Sequence, residues 1–224
     1  LMSFWGFGPF PGGKPTQLEN IKTILNHTGY KLLKLEQKVY KLNSLLKIDF
    51  NAIAKGYGVD KVFQFIKDQG LDNIFVEIGG EVRAQGISSR GNTWTIGVEA
   101  PTLTKQSKTP FAAVIELDGN SMATSGNYRN YIEYNGEILG HTINPQIGYP
   151  INSNVLSVTT FAQSCMVADA WATALMTMEY RKGVEYLKKV DGVSALWVLN
   201  DNGIRKIKRF GEIKILDSIY TTTD

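Results

Sequence analysis

Apolar residues recur at spacings of three and four residues in four segments of the chain, and this spacing predicts four helices. The first covers 16–29 and the second covers 51–68. The third is the stretch SCMVADAWATALMTM at 164–178, and the fourth is RKGVEYLKKV at 181–190. Because the third segment is apolar almost throughout, we expect that helix to be buried.

Alternation of apolar and polar residues predicts the strands. The segment 30–42 is predicted to form a hairpin, and single strands are predicted at 93–100, 111–119 and 154–162. Residues 195–210 predict a second hairpin, which turns at an Asn-Gly pair. Neither a repeat nor an obvious linker interrupts the 224 residues. The mixture of elements indicates an α+β or α/β domain.

Composition excludes several classes of protein. The chain carries 24 Lys and Arg against 21 Asp and Glu, a net charge of +3, and these residues are scattered. A nucleic-acid surface should instead show a clustered basic face, so we expect no nucleic-acid partner. The single cysteine, Cys165, excludes an internal disulfide and a zinc site built from several cysteines. No apolar run reaches the roughly 18 residues of a membrane span.

The third predicted helix carries an acid in its apolar sequence. Asp169 and Thr173 lie four residues apart, so a helix places their oxygens on one face. A carboxylate and a hydroxyl together suit Mg²⁺ or Ca²⁺, and a bound cation would remove the cost of burying the charge. Alternatively, Asp169 caps this same helix or accepts hydrogen bonds from nearby amides, and Thr173 bonds back to the chain.

The segment KIDFNAIAKGYGVD combines features of a phosphate site. Asp49 ends a strand-like stretch, and Lys55 and Gly56 fall in the first turn of the second helix. Free amides, a lysine and glycines together could bind phosphate. The spacing is not that of a P-loop, and an ordinary capped helix with an exposed lysine is the alternative.

Two further segments have both a functional and a structural interpretation. Gly79-Gly80 interrupts the predicted strand at 73–86, which indicates either a bulge or the close approach of a ligand or backbone. The segment SMATSGNYRNY at 121–131 predicts a small hydroxyl-rich turn that could approach a ligand, and an ordinary loop is the alternative.

One histidine lies among strong turn signals. His141 precedes Asn-Pro and Gly-Tyr-Pro in GHTINPQIGYPI, where it could act as a base, orient a pyrophosphate or stabilise the turn.

Six motifs in a fixed order resemble those of the FAD:protein FMN transferase family, the ApbE-type flavin transferases. A segment like the family's LWGFG opens the chain, and the other five are DFNAIAKGYGVD, IGGEVRA, ATSGNY, HTINPQIGYP and ADAWATA. The resemblance implies an α+β fold of mixed sheets with packed helices, in one domain over 1–224. Family members carry a further N-terminal third before the first motif, so we expect the chain to be an N-terminally truncated form, the C-terminal two thirds of the family domain.

The resemblance also implies a set of site residues. A divalent ion, normally Mg²⁺, would be held by Asp169, Thr173 and the backbone carbonyl of Ala52. His141 would lie beside the FAD pyrophosphate and activate the acceptor hydroxyl. The residues expected to contact the flavin nucleotide are Asp49, Lys55, His141, Thr142 and Ile143.

The implied reaction is Mg²⁺-dependent transfer of FMN from FAD to a Ser or Thr hydroxyl of an acceptor flavoprotein subunit, with release of AMP. There are two alternatives. One is an FAD pyrophosphatase that yields FMN and AMP, and the other is a flavin-binding remnant without catalysis. Family habit implies export to the periplasmic face of the inner membrane as a lipoprotein, and we also consider a homodimer. Asn51 and Asn144 stand where the family commonly has Gly and Asp, and Asn144 can still build the turn.

Overall fold

The computed structural model describes residues 1–7, 20–101, 111–127, 131–134 and 136–223. The chain divides into two compact units. The smaller comprises Leu1–Asp49 and Arg129–Asn152, and the larger comprises Phe50–Tyr128 and Ser153–Asp224. That 1–224 is a single domain stays a prediction.

A seven-stranded sheet forms the centre of the described part of the larger unit. Its strands are β3 (Ile74–Ile78), β4 (Glu81–Gln85), β7 (Ser121–Gly126), β10 (Val155–Ala162), β11 (Val193–Asp201), β12 (Ile204–Phe210) and β14 (Thr221–Thr223). Their order is β14-β12-β11-β10-β7-β4-β3, and they pair antiparallel except for the parallel pair β12 and β14. Central strands have buried residues on both faces, which explains why β10 is apolar or hydroxyl-bearing throughout.

A three-stranded sheet packs on one face of this large sheet. It has the order β13-β6-β5, formed by β13 (Ile215–Ser218), β6 (Phe111–Leu117) and β5 (Trp94–Glu99). Ile115 and Leu117 from the small sheet meet Phe161 and Leu196 from the large one in a single apolar cluster. This burial stabilises the unit by the removal of apolar surface from water.

Helices cover the other face of the large sheet. They are α2 (Ala54–Asp68), α3 (Cys165–Met176) and α4 (Tyr180–Leu187). Leu175 and Met176 of α3 pack with Leu187 of α4 and Trp197 of β11. In a third cluster, Val59 and Phe63 of α2 pack against Ile74 and Val76 of β3. The helical faces thus bury the apolar stripes that their spacing predicted.

The smaller unit has its own apolar cluster, centred on the indole of Trp5. Trp5 is 1% exposed and packs with Ile21 and Ile143. Its Nε1 donates a hydrogen bond of 2.7 Å to the carbonyl of Gly148. The described elements here are α1 (Asn20–Leu25), the hairpin of β1 (Leu33–Leu35) and β2 (Val39–Lys41), and the hairpin of β8 (Tyr131–Tyr134) and β9 (Glu137–Gly140).

Most of the predicted elements are confirmed, including the α+β class, the buried third helix and the hairpin that turns at Asn202-Gly203. The loop predicted at 121–131 is wrong over 121–126, which form β7 in the middle of the large sheet. Residues 16–19 of the first predicted helix lie outside the described residues. None of the helices in the described residues is long and apolar enough to cross a membrane.

The interpretation of Gly79-Gly80 as a bulge is also wrong. The two glycines form the two-residue turn of the β3–β4 hairpin, in which Ile78 pairs with Glu81. Their φ angles of 63° and 102° lie in the left-handed region that glycine adopts without steric cost. The pair therefore reverses the chain instead of bending one strand.

Candidate active site

Asp169 is buried in the first half of α3, where only 4% of the residue is exposed. Its Oδ2 accepts a hydrogen bond of 3.0 Å from the backbone N–H of Gly56, at the start of α2. Burial raises the pKa of the Asp169 carboxyl, and the Gly56 amide and the Lys55 ammonium partly oppose that effect. Asp169 thus accepts a hydrogen bond from a nearby amide, as the alternative interpretation proposed, although the helix it caps is α2 and not its own. Its second oxygen can still serve another partner.

Gly56 allows the two helices to approach at this point. A Cβ built on Gly56 would lie 2.4 Å from the Cys165 carbonyl oxygen and 2.8 Å from Met166 Cα. Both atoms belong to the backbone, so no side-chain rotation could relieve the overlap. Gly56 is the third residue of α2, so its amide is one of the N-terminal amides that have no partner within the helix, and it donates to Asp169. Ala52, whose carbonyl is the predicted ligand, lies two residues before the start of α2.

A second aspartate completes a reciprocal arrangement of the two helix starts. Asp60 of α2 accepts hydrogen bonds from the backbone amides of Cys165 and Met166 and from the hydroxyl of Ser164. Its Oδ1 also lies 2.6 Å from the Arg83 guanidinium. Each helix therefore has its first amides capped by a carboxylate of the other, which favours both helix dipoles. The two carboxylates thus link the starts of α2 and α3.

The pKa of Asp60 reflects these contacts. Burial alone would raise it, but the Met166, Ser164 and Cys165 hydrogen bonds and the Arg83 contact outweigh burial, so the pKa of Asp60 is lowered. A carboxyl whose pKa is lower in the folded state stabilises the fold above its unfolded pKa, and that contribution is lost as the pH falls through its folded pKa.

We expect Asp60→Ala to lower the free energy of unfolding by about 2–4 kcal/mol, because it removes a helix cap and leaves Arg83 without its partly buried partner. Urea unfolding at neutral pH measures the change. Asp68→Ala, at an exposed position of the same helix, should change stability by less than about 0.5 kcal/mol. The Asp60 effect should shrink as the pH falls below about 4, where the carboxyl of the unfolded chain becomes protonated, and it should be lost as the pH falls through the lower pKa of the folded state. Equal losses in the two variants would contradict the capping role.

Thr173 lies one turn beyond Asp169 on α3, as predicted. Its Oγ1 is 3.1 Å from the Oγ of Ser125, on β7. Ser125 belongs to the segment that the sequence suggested as a loop approaching a ligand, and it brings a further hydroxyl to the predicted metal ligands. Sequence reasoning did not assign a role to Ser125, although the hydroxyl-rich composition of its segment was a signal.

The described residues supply hard oxygen donors of the kind that Mg²⁺ prefers: a buried carboxylate, a hydroxyl and a backbone carbonyl. When ionised, Asp169 places a buried charge on an apolar helix, and a bound cation would stabilise that charge. Among the described residues, no group of three His, Cys, Asp or Glu side chains is arranged to hold a metal ion. The residues thus fit a cation bound through one carboxylate, with hydroxyl, carbonyl, water or phosphate oxygens as its remaining ligands.

Lys55, the predicted phosphate-binding cation, forms an ion pair with Glu81. Its Nζ lies 2.6 Å from Glu81 Oε2 and 3.4 Å from the carbonyl oxygen of Gly79. Burial raises the pKa of Glu81, the Lys55 ammonium lowers it, and the nearby Asp169 carboxylate raises it further. Sequence reasoning missed Glu81. Its signals were its place in the IGGEVRA motif and its position directly after the Gly-Gly turn, at the start of β4.

Cys165 is buried at the start of α3 and is not suited to nucleophilic chemistry. Burial raises the pKa of its thiol strongly, and the Asp60, Glu81 and Asp169 carboxylates add to the effect. A thiol kept protonated in this way is a packing residue, since the thiolate is the reactive form.

The remaining predicted site residues belong to the smaller unit. The ring of His141 contacts that of Phe7, with centroids 6.2 Å apart. Thr142 is buried and its carbonyl accepts from the amide of Ile151. Ile143 packs its side chain into the Trp5 cluster, so its backbone is the part that a ligand could contact. Asp49 lies at the end of this unit and is exposed.

Asn144 builds the turn that follows, as predicted. Its Oδ1 accepts from the amide of Gln146, and its backbone carbonyl accepts from the amide of Gly148. The side-chain oxygen of Asn144 thus accepts from a backbone amide in this turn, as an aspartate oxygen at the same position could.

Comparison with known proteins gives consistent matches. A model of the ApbE family matches residues 1–197. A Vibrio cholerae protein named FAD:protein FMN transferase is 37% identical over 209 residues, covering 92% of this chain and 61% of that protein. A Haemophilus influenzae protein of the same name is 35% identical over 216 residues, covering 91% and 60%. The chain thus spans about three fifths of the length of these relatives.

Solved structures agree in fold. The apo form of the Pseudomonas stutzeri flavinyl transferase ApbE superposes with a TM-score of 0.77 at 35% identity, covering 90% of this chain and 62% of that one. The ApbE protein of Thermotoga maritima superposes with a TM-score of 0.76 at 32% identity, covering 96% and 66%.

Proposed function

Because this chain belongs to the ApbE family, we propose that it transfers FMN from FAD to a Ser or Thr hydroxyl of an acceptor protein and releases AMP. The observation that carries the proposal is the buried Asp169 carboxylate, fixed by the start of α2, near the half-exposed ammonium of Lys55. Such a combination suits a ligand that brings both a cation and phosphate.

In the proposed reaction the acceptor hydroxyl oxygen bonds to the phosphorus on the flavin side of the FAD pyrophosphate. The bond from that phosphorus to the bridging oxygen breaks, AMP leaves with the bonding electrons, and the hydroxyl proton passes to a base. His141 is our candidate for that base. Asp49, Thr142 and the backbone of Ile143 are further candidates for contacts to the flavin nucleotide.

Asp169, Thr173 and the carbonyl of Ala52 would hold the divalent cation, which we propose is Mg²⁺. A cation there supplies positive charge to the pyrophosphate and to the departing AMP. Gly56 and Asp60 contribute by holding the Asp169 carboxylate in place, and Lys55 contributes a second positive charge toward phosphate.

Product analysis tests the proposed reaction. The chain is incubated with FAD, Mg²⁺ and a peptide that carries an acceptor Thr, and the products are separated. Flavin fluorescence that stays with the denatured peptide supports the transferase. Free FMN and AMP would instead identify a pyrophosphatase, and unchanged FAD bound to the protein would identify a flavin-binding protein without catalysis.

We expect Lys55→Met to weaken FAD binding by about 1.5–3 kcal/mol, the usual range for a charge-assisted hydrogen bond. The substitution keeps the aliphatic stem and removes the ammonium. Riboflavin, which has no phosphate, should bind the variant and the parent equally, and fluorescence titration with the two ligands provides the comparison. If both ligands lost affinity equally, Lys55 would have a structural role only.

Two further proposals concern location, which family habit supports, and assembly. We propose that the protein acts on the periplasmic side of the inner membrane as a lipoprotein, which fractionation of cells expressing it from its own gene would test. We also propose a homodimer, which light scattering of the purified protein would test. Recovery of the protein in the cytoplasmic fraction would contradict the proposed location. A monomer at micromolar concentration would contradict the proposed homodimer.

A further inference from the structure

Glu81 is a buried acid to which the proposed reaction assigns no role. It is 2% exposed at the first position of β4, and acids are rarely so buried unless they are paired. Its partner is Lys55, which comes from α2, a separate element. The contact is an ion pair and not a well-aligned hydrogen bond, because no described group makes one to Glu81 Oε2.

The exposure of the two partners is unequal. The side chain of Glu81 is 3% exposed and that of Lys55 is 45% exposed. A lysine ammonium has three N–H donors, one of which donates to the Gly79 carbonyl, so the ammonium can still donate to a ligand. The pair thus combines a buried carboxylate with an ammonium that solvent and a ligand can reach.

The Gly-Gly turn fixes the lysine from another side. A Cβ on Gly79 would lie 3.2 Å from Lys55 Cδ, which is closer than most Cβ contacts, so the stem of the lysine lies against this turn. The turn is itself braced, since the amide of Gly80 donates to Glu77 Oε1 at 2.6 Å. Glu81, directly after the turn, then holds the end of the same side chain.

We propose that Glu81 is a positioning residue, which holds the Lys55 ammonium in one place so that Lys55 binds the phosphate of a nucleotide without first being ordered. A free lysine side chain populates many rotamers, and fixing it costs entropy that the ion pair has already offset in the unbound protein. Glu81 acts through Lys55 and need not touch the ligand. This inference rests on the proposed function, in which the ligand is FAD.

A double-mutant cycle on the full chain tests the inference. We expect Glu81→Gln, which keeps the size of the side chain, to weaken FAD binding about three- to tenfold and to leave riboflavin binding unchanged. Glu81→Asp, which keeps the charge, should recover part of the loss. In a Lys55→Met background the same Glu81→Gln change should have no effect on FAD binding. A loss that persists there, or that extends to riboflavin, would overturn the proposal.

A second readout does not depend on FAD. Heteronuclear NMR of lysine ammonium groups should give a slowly exchanging signal for Lys55 in the parent, identified by its loss in Lys55→Met. That signal should vanish in Glu81→Gln while the melting temperature shows that the protein remains folded. A parent that binds no FAD would refute the proposed function alone, and the positioning role would then be decided by this signal. Persistence of the signal in Glu81→Gln would overturn the role.

Discussion

Asp169→Asn should lower flavin transfer at least about a hundredfold and abolish measurable Mg²⁺ binding, because it removes the one carboxylate of the proposed cation site. The asparagine oxygen can still accept from the Gly56 amide, so the cap at the start of α2 is retained. Without metal the variant should be as stable as the parent or slightly more stable, since an uncompensated buried charge is gone. An Asp169→Ala variant would confuse these effects, because it also leaves the Gly56 amide without an acceptor.

Isothermal calorimetry measures the Mg²⁺ affinity of Asp169→Asn. Thermal unfolding in the presence of a chelator measures its stability without metal. Thr173→Val serves as a companion variant that removes one hydroxyl donor and should weaken Mg²⁺ binding to a smaller extent. Mg²⁺ affinity equal to that of the parent in Asp169→Asn would refute the metal assignment. A large loss of stability in that variant would mean that Asp169 is chiefly structural.

Gly56→Ala should destabilise the protein by about 3 kcal/mol or more, at the upper end of the cost of overpacking. The new Cβ would lie 2.4 Å from the backbone carbonyl oxygen of Cys165, so α2 and α3 must separate. Separation would also break the hydrogen bond from the Gly56 amide to Asp169, so Mg²⁺ binding should fall together with stability. Urea unfolding and calorimetry on the same samples provide the two measurements.

Gly58→Ala is the matched control, two residues along the same helix. Within the described part of the chain, a Cβ there would meet only Ile78 Cδ1, at an ordinary contact distance of 3.4 Å. Since alanine favours helix over glycine by about 1 kcal/mol, this variant should be as stable as the parent or more so. Similar destabilisation by both substitutions would show that the close contact at Gly56 is not the cause.

The sequence predicted those parts of the fold that depend on local spacing. The apolar repeat of α3, and with it the placement of Asp169 and Thr173 on one face, needs no information from elsewhere in the chain. The Asn202-Gly203 turn was predictable for the same reason, because both residues adopt the positive φ that its tight turn requires.

Other parts depended on neighbours that are distant in the sequence. Residues 121–126 have the small hydroxyl side chains of a loop, and only their place between β4 and β10 makes them a central strand. Asp60 caps a helix that starts 105 residues later. The pairing of Lys55 with Glu81 likewise requires the β3–β4 hairpin to bring its turn against α2. The local spacing of apolar and polar residues does not predict contacts between segments that are distant in the sequence.

Following the two phosphorus atoms of FAD tests the central claim most directly. FAD is prepared with radioactive phosphorus either in the phosphate on the riboflavin side or in the phosphate on the adenosine side, and each is incubated with the chain, Mg²⁺ and the acceptor peptide. Our account predicts that the riboflavin-side label becomes covalently attached to the peptide while the adenosine-side label leaves as AMP. Attachment of the adenosine-side label, or attachment of neither, would contradict it.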